Sequence, residues 1–401
     1  MAHATRRTPP ALLVIVLAAG CTAIGHGFGR LSYPFVLPAM VDDVLGTYSR
    51  AGLLGMANVG AYLVGLLVMI RLSGRVGLVG FLRIGLTGVT AGLALMAVAP
   101  SFAVLCLAMV LAGAFNAAIW VPASALVASA VSERHRGLAS GALGAGYGLA
   151  IVFAGQLTRG VAAASGPATW RPVWAVMAVL GAVVLVAVLL RLPADTGNQR
   201  AVPGLGIGAL RRLPGAGALV VTYAGFALGY VVYTSYLVAA LSDGAGFSPG
   251  HAANAYSVLG LTGIAGGLLV GRLSDVCGRR RVLLGAHLLM ATCAFAVLLG
   301  AEPWVTLSAA VFGVFASGLP AAVAAYVADH LEPLDVARAF GIVTLAFAVV
   351  QTIGPPLGGF LIDLTGGFTA TFVLAAAAHA AGALAAALLP RGRVSRGRVR
   401  R

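Results

Sequence analysis

The chain has 401 residues, of which 60% are hydrophobic and 9% charged, with a formal net charge of +15 and a mean hydropathy of +0.99. Soluble domains carry about 25% charged residues, so this composition excludes an ordinary water-soluble fold and favours the bilayer as solvent. Every basic residue is arginine, in short clusters between long uncharged runs, which argues against a nucleic-acid-binding face. The four cysteines form no CxxC pair, so neither a disulfide framework nor a metal site is expected.

Twelve segments are apolar and long enough to cross a bilayer as helices, which takes about 20 residues each. They are 11–40, 51–70, 76–100, 102–131, 137–160, 172–190, 214–242, 251–271, 282–301, 303–328, 339–362 and 366–390. The first segment begins as a secretory signal does, but its uncharged run continues past Cys21 to Gly29, which is too long for a signal peptide. We therefore predict an all-α integral membrane protein with twelve transmembrane helices.

The arginines predict the orientation of these helices. With the N-terminus inside, 22 arginines fall in inner segments and three in outer loops, with Arg30 left within the membrane. The alanine-rich, lysine-free composition is typical of a GC-rich bacterial genome. We therefore expect a multi-pass protein of the bacterial cytoplasmic (inner) membrane with both termini in the cytoplasm.

The chain is predicted to form two six-helix halves. The expected segments are a cytoplasmic N-terminus at 1–10, a first half at 11–190, a cytoplasmic linker at 191–213, a second half at 214–390 and a basic cytoplasmic tail at 391–401.

An internal repeat supports this division. At offsets of 200, 201 and 202 residues, 25–40 matches 225–240, 71–77 matches 272–278 and 133–136 matches 335–338. Parallel repeats are typical of secondary transporters whose site lies between the halves near the bilayer midplane.

The stretch "GRLSDVCGRRRVL" at 271–283 resembles the loop signature G-x-L-x-D-R-x-G-R-R of the major facilitator superfamily, with Val276 in place of the usual arginine. "GPPLGG" at 354–359 resembles another motif of that family, and the "GxGxGR" pattern of the first helix is similar to its YbfB/YjiJ-like bacterial branch. The resemblance implies two halves related by a pseudo-two-fold axis and transport by alternating access. It also implies a gating role for the loop residues, although a basic loop can equally serve orientation alone; these residues are Asp275, Gly278, Arg279 and Arg280.

Arg30 is the clearest functional candidate, because an ionisable residue in the hydrocarbon region is costly. It lies about 28 Å from the inner end of its helix at 1.5 Å per residue, hence in the outer half of the membrane. Binding of substrate, gating, a structural pair and snorkelling to the outer headgroups all stay open. His26 lies one turn earlier on the same face.

The repeat separates two kinds of residue in "GHGFGR". Gly25 and Gly29, like Tyr33 in the next turn, recur in the second half as part of a duplicated scaffold, whereas His26 and Arg30 do not recur. The glycines are expected to serve helix packing. Other polar or aromatic residues near the middle of cavity-lining helices could contact substrate or hydrogen-bond between helices; they are Tyr33, Asn58, Tyr62, Asn116, Trp120, Tyr230, Tyr233, Tyr256 and Gln351.

All eleven carboxylates lie in loops or near helix ends, so a cavity for cations is disfavoured. We expect a secondary active transporter that moves a small organic anion or neutral metabolite by alternating access, with His26 as the remaining candidate for a coupling proton. The alternatives are a multidrug or metabolite efflux transporter of the same fold and a transport-inactive membrane sensor. We expect a monomer that contacts the lipid bilayer and a small-molecule substrate and does not bind nucleic acid. No cofactor is expected. Because the sequence has no cluster of catalytic groups, no enzymatic activity is expected either.

Overall fold

The computed structural model describes residues 10–132, 135–166, 168–193 and 206–390. The predicted N-terminal segment up to residue 9, the tail at 391–401, most of the linker and part of the 133–136 repeat lie outside the described residues. Within them the chain is helical and forms no strand.

Twelve of the described helices are long and apolar enough to cross a membrane, which confirms the predicted number. Their bounds are α1 Ala11–Leu45, α2 Tyr48–Leu72, α3 Leu78–Val98, α4 Phe102–Ala130, α5 Arg136–Ser165, α6 Arg171–Arg191, α7 Ala216–Gly244, α8 Pro249–Cys277, α9 Arg279–Leu298, α10 Trp304–His330, α11 Pro333–Thr365 and α12 Thr369–Ala387. A short helix, Ile207–Arg212, precedes α7. We call the side at which α1 begins the inner side, following the arginine distribution.

Short connections hold consecutive helices side by side. Gly278 is the single residue between α8 and α9, and its φ of 90° lies in the region that only glycine adopts without strain. The connection from α1 to α2 uses Gly46 at φ 72°, and Thr47 caps α2 by accepting a hydrogen bond from the Arg50 backbone N–H at 3.2 Å.

The internal repeat is also visible in the packing of equivalent helices. A Cβ added to Gly113 of α4 would collide with the Asn58 backbone of α2, and one added to Gly313 of α10 would collide with the Leu259 backbone of α8. The two contacts are related by offsets of 200 and 201 residues, like the sequence matches. Each half therefore brings the same pair of helices together through backbone contact at a glycine.

The first helix is irregular where its equivalent is regular. Ala11–Thr22 is α-helical, Ala23–Leu31 is a π-helix, and Tyr33–Met40 is α-helical again. In the second half, Ala216–Ala239 of α7 is α-helical throughout. Segments of π-helix are rare and frequent at functional sites, so the stretch that holds His26 and Arg30 differs from its duplicate in backbone as well as in side chains.

Candidate functional site

The π-helix packs closely against its neighbours because its glycines carry no side chain. A Cβ on Gly27 would collide with the Cβ of Ala150 in α5, and a Cβ on Gly25 would lie 2.5 Å from the Asn116 side-chain oxygen in α4. A Cβ on Gly29 would lie 3.0 Å from the Val89 side chain of α3. Gly25 and Gly29 therefore lie in close contacts between helices, as the sequence predicts.

Asn58 of α2 holds the end of the π-helix in place. Pro34 follows that segment and has no N–H, so it removes a donor for the carbonyls of the preceding turn. The Asn58 side-chain nitrogen donates to the Gly29 carbonyl oxygen at 3.0 Å and to the Met109 carbonyl oxygen of α4 at 3.2 Å. One buried amide thus joins three helices of the first half.

The Arg30 guanidinium lies between the two halves. Its Nη2 donates a hydrogen bond to Oε1 of Gln351 in α11, and its Cζ lies 5.1 Å from the ring centroid of Tyr62 in α2. The ion pairs found among the described residues do not include Arg30. Its described partners are a neutral amide and an aromatic face, without an acid.

The direction of the Arg30 side chain differs from the snorkelling interpretation. A helical side chain is tilted toward the N-terminus of its helix, which for α1 is the inner end. The guanidinium accordingly reaches Tyr62, the fifteenth of the 25 residues of α2, rather than the outer surface. The backbone position of Arg30 is in the outer half, but its charge is directed toward the middle of the bundle.

Three aromatic rings surround His26 one turn below Arg30. The His26 ring centroid lies 4.9 Å from Trp120, 6.1 Å from Tyr62 and 6.5 Å from Tyr147. All four side chains are partly exposed. We call His26, Tyr62, Trp120 and Tyr147 the aromatic cluster.

Tyr147 was not among the residues singled out in the sequence. Its hydroxyl oxygen lies 3.0 Å from the Ser317 hydroxyl oxygen in α10, which makes a second polar contact between the halves. The available signal was an aromatic residue between two glycines within a predicted span, "GYG" at 146–148.

A cavity between the halves adjoins Arg30 and has a volume of about 470 Å³, counting the part open to solvent. It brings together six of the predicted site residues: Arg30, Tyr33, Asn58, Tyr230, Tyr256 and Gln351. Three of them come from the first half and three from the second, so the cavity is shared between the halves.

Two predicted residues lie in helix packing instead. Asn116 is fully buried beside Gly25, where its side chain lies next to that of His26. Tyr233 is fully buried, with its ring stacked 3.7 Å from Phe312 and its hydroxyl 3.2 Å from that of Ser308. Contact with substrate at these two positions stays a prediction.

The outer ends of the halves are joined by polar contacts. The Asp363 carboxylate at the end of α11 accepts from the backbone N–H groups of Tyr48 and Ser49 at 3.0 and 2.7 Å. It therefore lies at the N-terminus of α2, where the helix dipole favours a negative charge. The Gln156 side chain of α5 donates to Asn254 of α8 at 2.9 Å on the same side.

The loop signature between α8 and α9 makes its contacts within the second half. Arg279 pairs with Asp275 at 2.5 Å and with Asp329 at the end of α10 at 2.9 Å. Arg280 donates to the Ala387 carbonyl oxygen at the end of α12 at 2.5 Å. These residues bind the inner ends of α8, α9, α10 and α12 together, and their part in gating stays a prediction.

A family model described as "Uncharacterised MFS-type transporter YbfB" matches residues 22–388. The chain belongs to the major facilitator superfamily. Its fold is similar to that of a bacterial homolog of the human lysosomal transporter Spinster, solved in an inward-facing and unoccupied conformation, at a TM-score of 0.74 and 16% identity over 94% of this chain and 96% of that one. The predicted family and fold class are thereby confirmed.

Curated relatives are transporters as well. The uncharacterized MFS-type transporter YfhI of Bacillus subtilis (strain 168) is 23% identical over 387 residues, 94% of each chain. Monocarboxylate transporter 12-B of Danio rerio is 30% identical over 172 residues, which is 41% of this chain and 34% of that protein's length. The tetracycline resistance protein, class C, of Escherichia coli is 37% identical over 109 residues, 26% of this chain and 27% of that protein. Membrane transport is thus the function of the family to which this chain belongs.

Proposed function

We propose that this protein is a secondary active transporter that moves a small organic anion across the bacterial inner membrane by alternating access, with both termini in the cytoplasm. The observation that carries the proposal is the Arg30 guanidinium, which lies between the halves with a neutral hydrogen-bond partner, Gln351, and no acid among its described contacts.

A cation within a membrane protein normally pairs with an acid or with backbone carbonyls. One donor of Arg30 bonds to Gln351, and no hydrogen bond joins its remaining N–H groups to another described residue. A planar guanidinium binds a carboxylate through two parallel hydrogen bonds. A carboxylate entering from the cavity would supply the counter-charge that the protein itself does not, whereas a neutral substrate would leave the charge uncompensated.

The contacts at the outer ends support alternating access. The pairing of Asp363 with the N-terminus of α2 and of Gln156 with Asn254 joins the halves on that side. Opening toward the outside requires that these exposed contacts break, and each exposed polar pair contributes only about 1 kcal/mol or less, which suits a reversible gate.

The names of two relatives specify small-molecule substrates, and each favours a different candidate function. The name of the Danio rerio relative specifies monocarboxylates, in agreement with an anion. The name of the Escherichia coli relative specifies tetracycline resistance, which favours efflux as the second candidate function. Both alignments cover less than half of this chain, so the charge at Arg30 is the stronger argument.

A coupling proton on His26 is a finer part of the proposal. The described ring neighbours of His26 are aromatic and include no acid, so in the proposal the carboxylate bound at Arg30 supplies the negative charge that a protonated His26 needs. The test is the pH dependence of flux in His26→Phe, which the proposal expects to be flattened and which an unchanged profile would contradict.

The experiment begins with thermal unfolding of the purified protein in the presence of lactate, succinate, benzoate and their neutral amides. A ligand that binds the folded state raises its apparent stability. The proposal expects at least one carboxylate, and not its amide, to raise the unfolding temperature and to exchange across liposomes. Stabilisation by cationic drugs alone would contradict it.

A further inference from the structure

The aromatic cluster lies beside the charge that the proposed function uses. Tyr62 belongs to both: its ring faces the Arg30 guanidinium at 5.1 Å and the His26 ring at 6.1 Å. Trp120 completes the surface, with its centroid 4.9 Å from His26 and 6.0 Å from Tyr147. A cationic group and a set of partly exposed rings are therefore adjacent between the halves.

We propose that the transported anion is an aromatic carboxylate, with its carboxylate on Arg30 and its ring against Tyr62 and Trp120. The inference rests on the proposed function, because it assumes that Arg30 binds the anion. The proposed function concerns only the carboxylate of the substrate, and this inference specifies that the rest of the substrate is an aromatic ring.

The rings favour a planar aromatic body over other shapes. Aromatic pairs prefer offset-stacked or edge-to-face arrangements with centroids about 4.5–7 Å apart, and they interact more strongly than their buried area alone accounts for. The centroid distances within the cluster, 4.9 to 6.5 Å, lie in that range. The four residues are also partly exposed, and their uncovered edges and faces are where the proposal places one more ring.

The charge decides which aromatic compounds fit. A set of rings alone would also suit a cation, through cation–π attraction. Here Arg30 already lies over Tyr62, and the cluster contains no acid, so a second cation would meet an unopposed positive charge. An aliphatic carboxylate would satisfy Arg30 but leave the rings of the cluster uncovered.

The two halves can hold such a molecule together. Tyr147 reaches Ser317 of α10, and Arg30 reaches Gln351 of α11. A carboxylate on Arg30 would compete with the Gln351 amide, and a ring beside Tyr147 would lie near its contact with Ser317. Occupation of the site would therefore loosen or replace these two contacts between the halves, at Gln351 and at Ser317.

The test compares three probes on the full-length protein in detergent and in liposomes: benzoate, cyclohexanecarboxylate and benzamide. We expect benzoate to bind about 3- to 10-fold more tightly than cyclohexanecarboxylate, from the added aromatic interaction. We expect benzamide, which has the ring without the charge, to bind at least tenfold more weakly than benzoate.

Single-residue variants test which side chains cause the preference for benzoate over the other two probes. Trp120→Leu should reduce the preference for benzoate over cyclohexanecarboxylate, because only Tyr62 of the two contacting rings remains, while both carboxylates stay preferred over benzamide. Trp304→Leu is the matched control, because Trp304 is 53% exposed at the start of α10 and should keep the benzoate preference. Thermal unfolding of each variant without ligand establishes that it is folded.

The outcomes separate the inference from the proposed function. If benzoate and cyclohexanecarboxylate bind equally to the parent protein and Arg30→Gln abolishes both, the aromatic class is wrong while the anion transporter stands. If benzamide binds as well as benzoate, or neither carboxylate binds, the inference is overturned. A benzoate preference that is undiminished in Trp120→Leu would overturn the placement of the ring.

Discussion

Replacing Arg30 with glutamine removes the charge but leaves an amide that can still bond to Gln351, so the contact between the halves need not be lost. The change isolates the guanidinium as an anion-binding group. We expect Arg30→Gln to fold and to enter the membrane, but to lose carboxylate binding.

The magnitude follows from the contacts. Arg30 has an amide and a ring as its described partners, so a bound carboxylate would be its counter-ion. Truncating one partner of a buried, hydrogen-bonded charge pair costs about 2–5 kcal/mol. At about 1.4 kcal/mol per tenfold change, the Kd for the carboxylate should rise about 30- to 4,000-fold.

Two further variants sharpen the measurement, which is isothermal titration of the purified protein with the carboxylate that the thermal screen selects. Arg30→Lys keeps the charge without the planar fork and should fall between the parent and the glutamine variant. Arg159→Gln removes the same charge from an exposed position near the end of α5 and should leave the Kd unchanged. An unchanged Kd in folded Arg30→Gln would refute the reasoning.

Four other predictions test the gate, the π-helix, the duplicated packing and a hydrogen-bonded carboxylate on the outer side. Asp363→Asn removes the negative charge at the N-terminus of α2 and should weaken the contact between the halves. The outward-open population should then rise about 2- to 5-fold, as measured by electron-resonance distances between the outer ends of α1 and α7. An unchanged distance distribution would show that Asp363 does not stabilise the closed outer side. Asn58→Leu leaves the Gly29 carbonyl without its side-chain donor and should lower the free energy of unfolding by about 1–3 kcal/mol in denaturant titrations; a neutral effect would contradict its anchoring role. Gly313→Ala should cost about 1–3 kcal/mol through its backbone collision, whereas Gly271→Ala, with open space around it, should be neutral or stabilising; equal effects would contradict the packing argument. Burial opposes the ionisation of Glu302, but hydrogen bonds from His251 and Thr306 outweigh it and lower its pKa below the ordinary 4.5. Glu302→Gln should therefore reduce stability by up to about 1 kcal/mol above pH 4.5, and the difference should vanish as the pH falls through the lowered pKa, so a thermal-unfolding difference that persists at low pH would count against it.

The number and placement of the helices could be predicted from the sequence because each transmembrane helix is a continuous run of apolar residues, which a hydropathy average along the chain detects. Predicted span 51–70 became Tyr48–Leu72, and predicted span 366–390 became Thr369–Ala387. The bilayer requires every backbone group to be satisfied within its own segment, so a long apolar run has few alternatives to a helix.

The site could be predicted only in part because it depends on the direction of side chains between helices. Selecting polar and aromatic residues near the middle of each predicted helix found Tyr230 and Tyr233, which are three residues apart on one helix. Only Tyr230 lines the cavity, whereas Tyr233 stacks on Phe312. The same selection missed Tyr147, which lies in the aromatic cluster. Rotation about the helix axis separates these cases, and the rotation is set by packing.

The π-helix could not be predicted from sequence patterns because it also depends on contacts with other helices. Its last turn is held by a donor from α2, Asn58, and its glycines fit against α4 and α5. The glycine repeat indicated close packing, and the equivalent glycines of both halves do pack closely: a Cβ on Gly25 or on Gly225 would lie 2.5 Å from an atom of a neighbouring helix. The backbone change that makes α1 differ from α7 depends on partners distant in the sequence.

The central claim is that Arg30 binds an anion that the protein transports, and counterflow of a radiolabelled carboxylate in proteoliposomes tests it most directly. The parent protein and Arg159→Gln should exchange the label across the membrane, and Arg30→Gln, reconstituted at equal density, should exchange it no faster than empty liposomes. Exchange by Arg30→Gln at the parent rate would contradict the account.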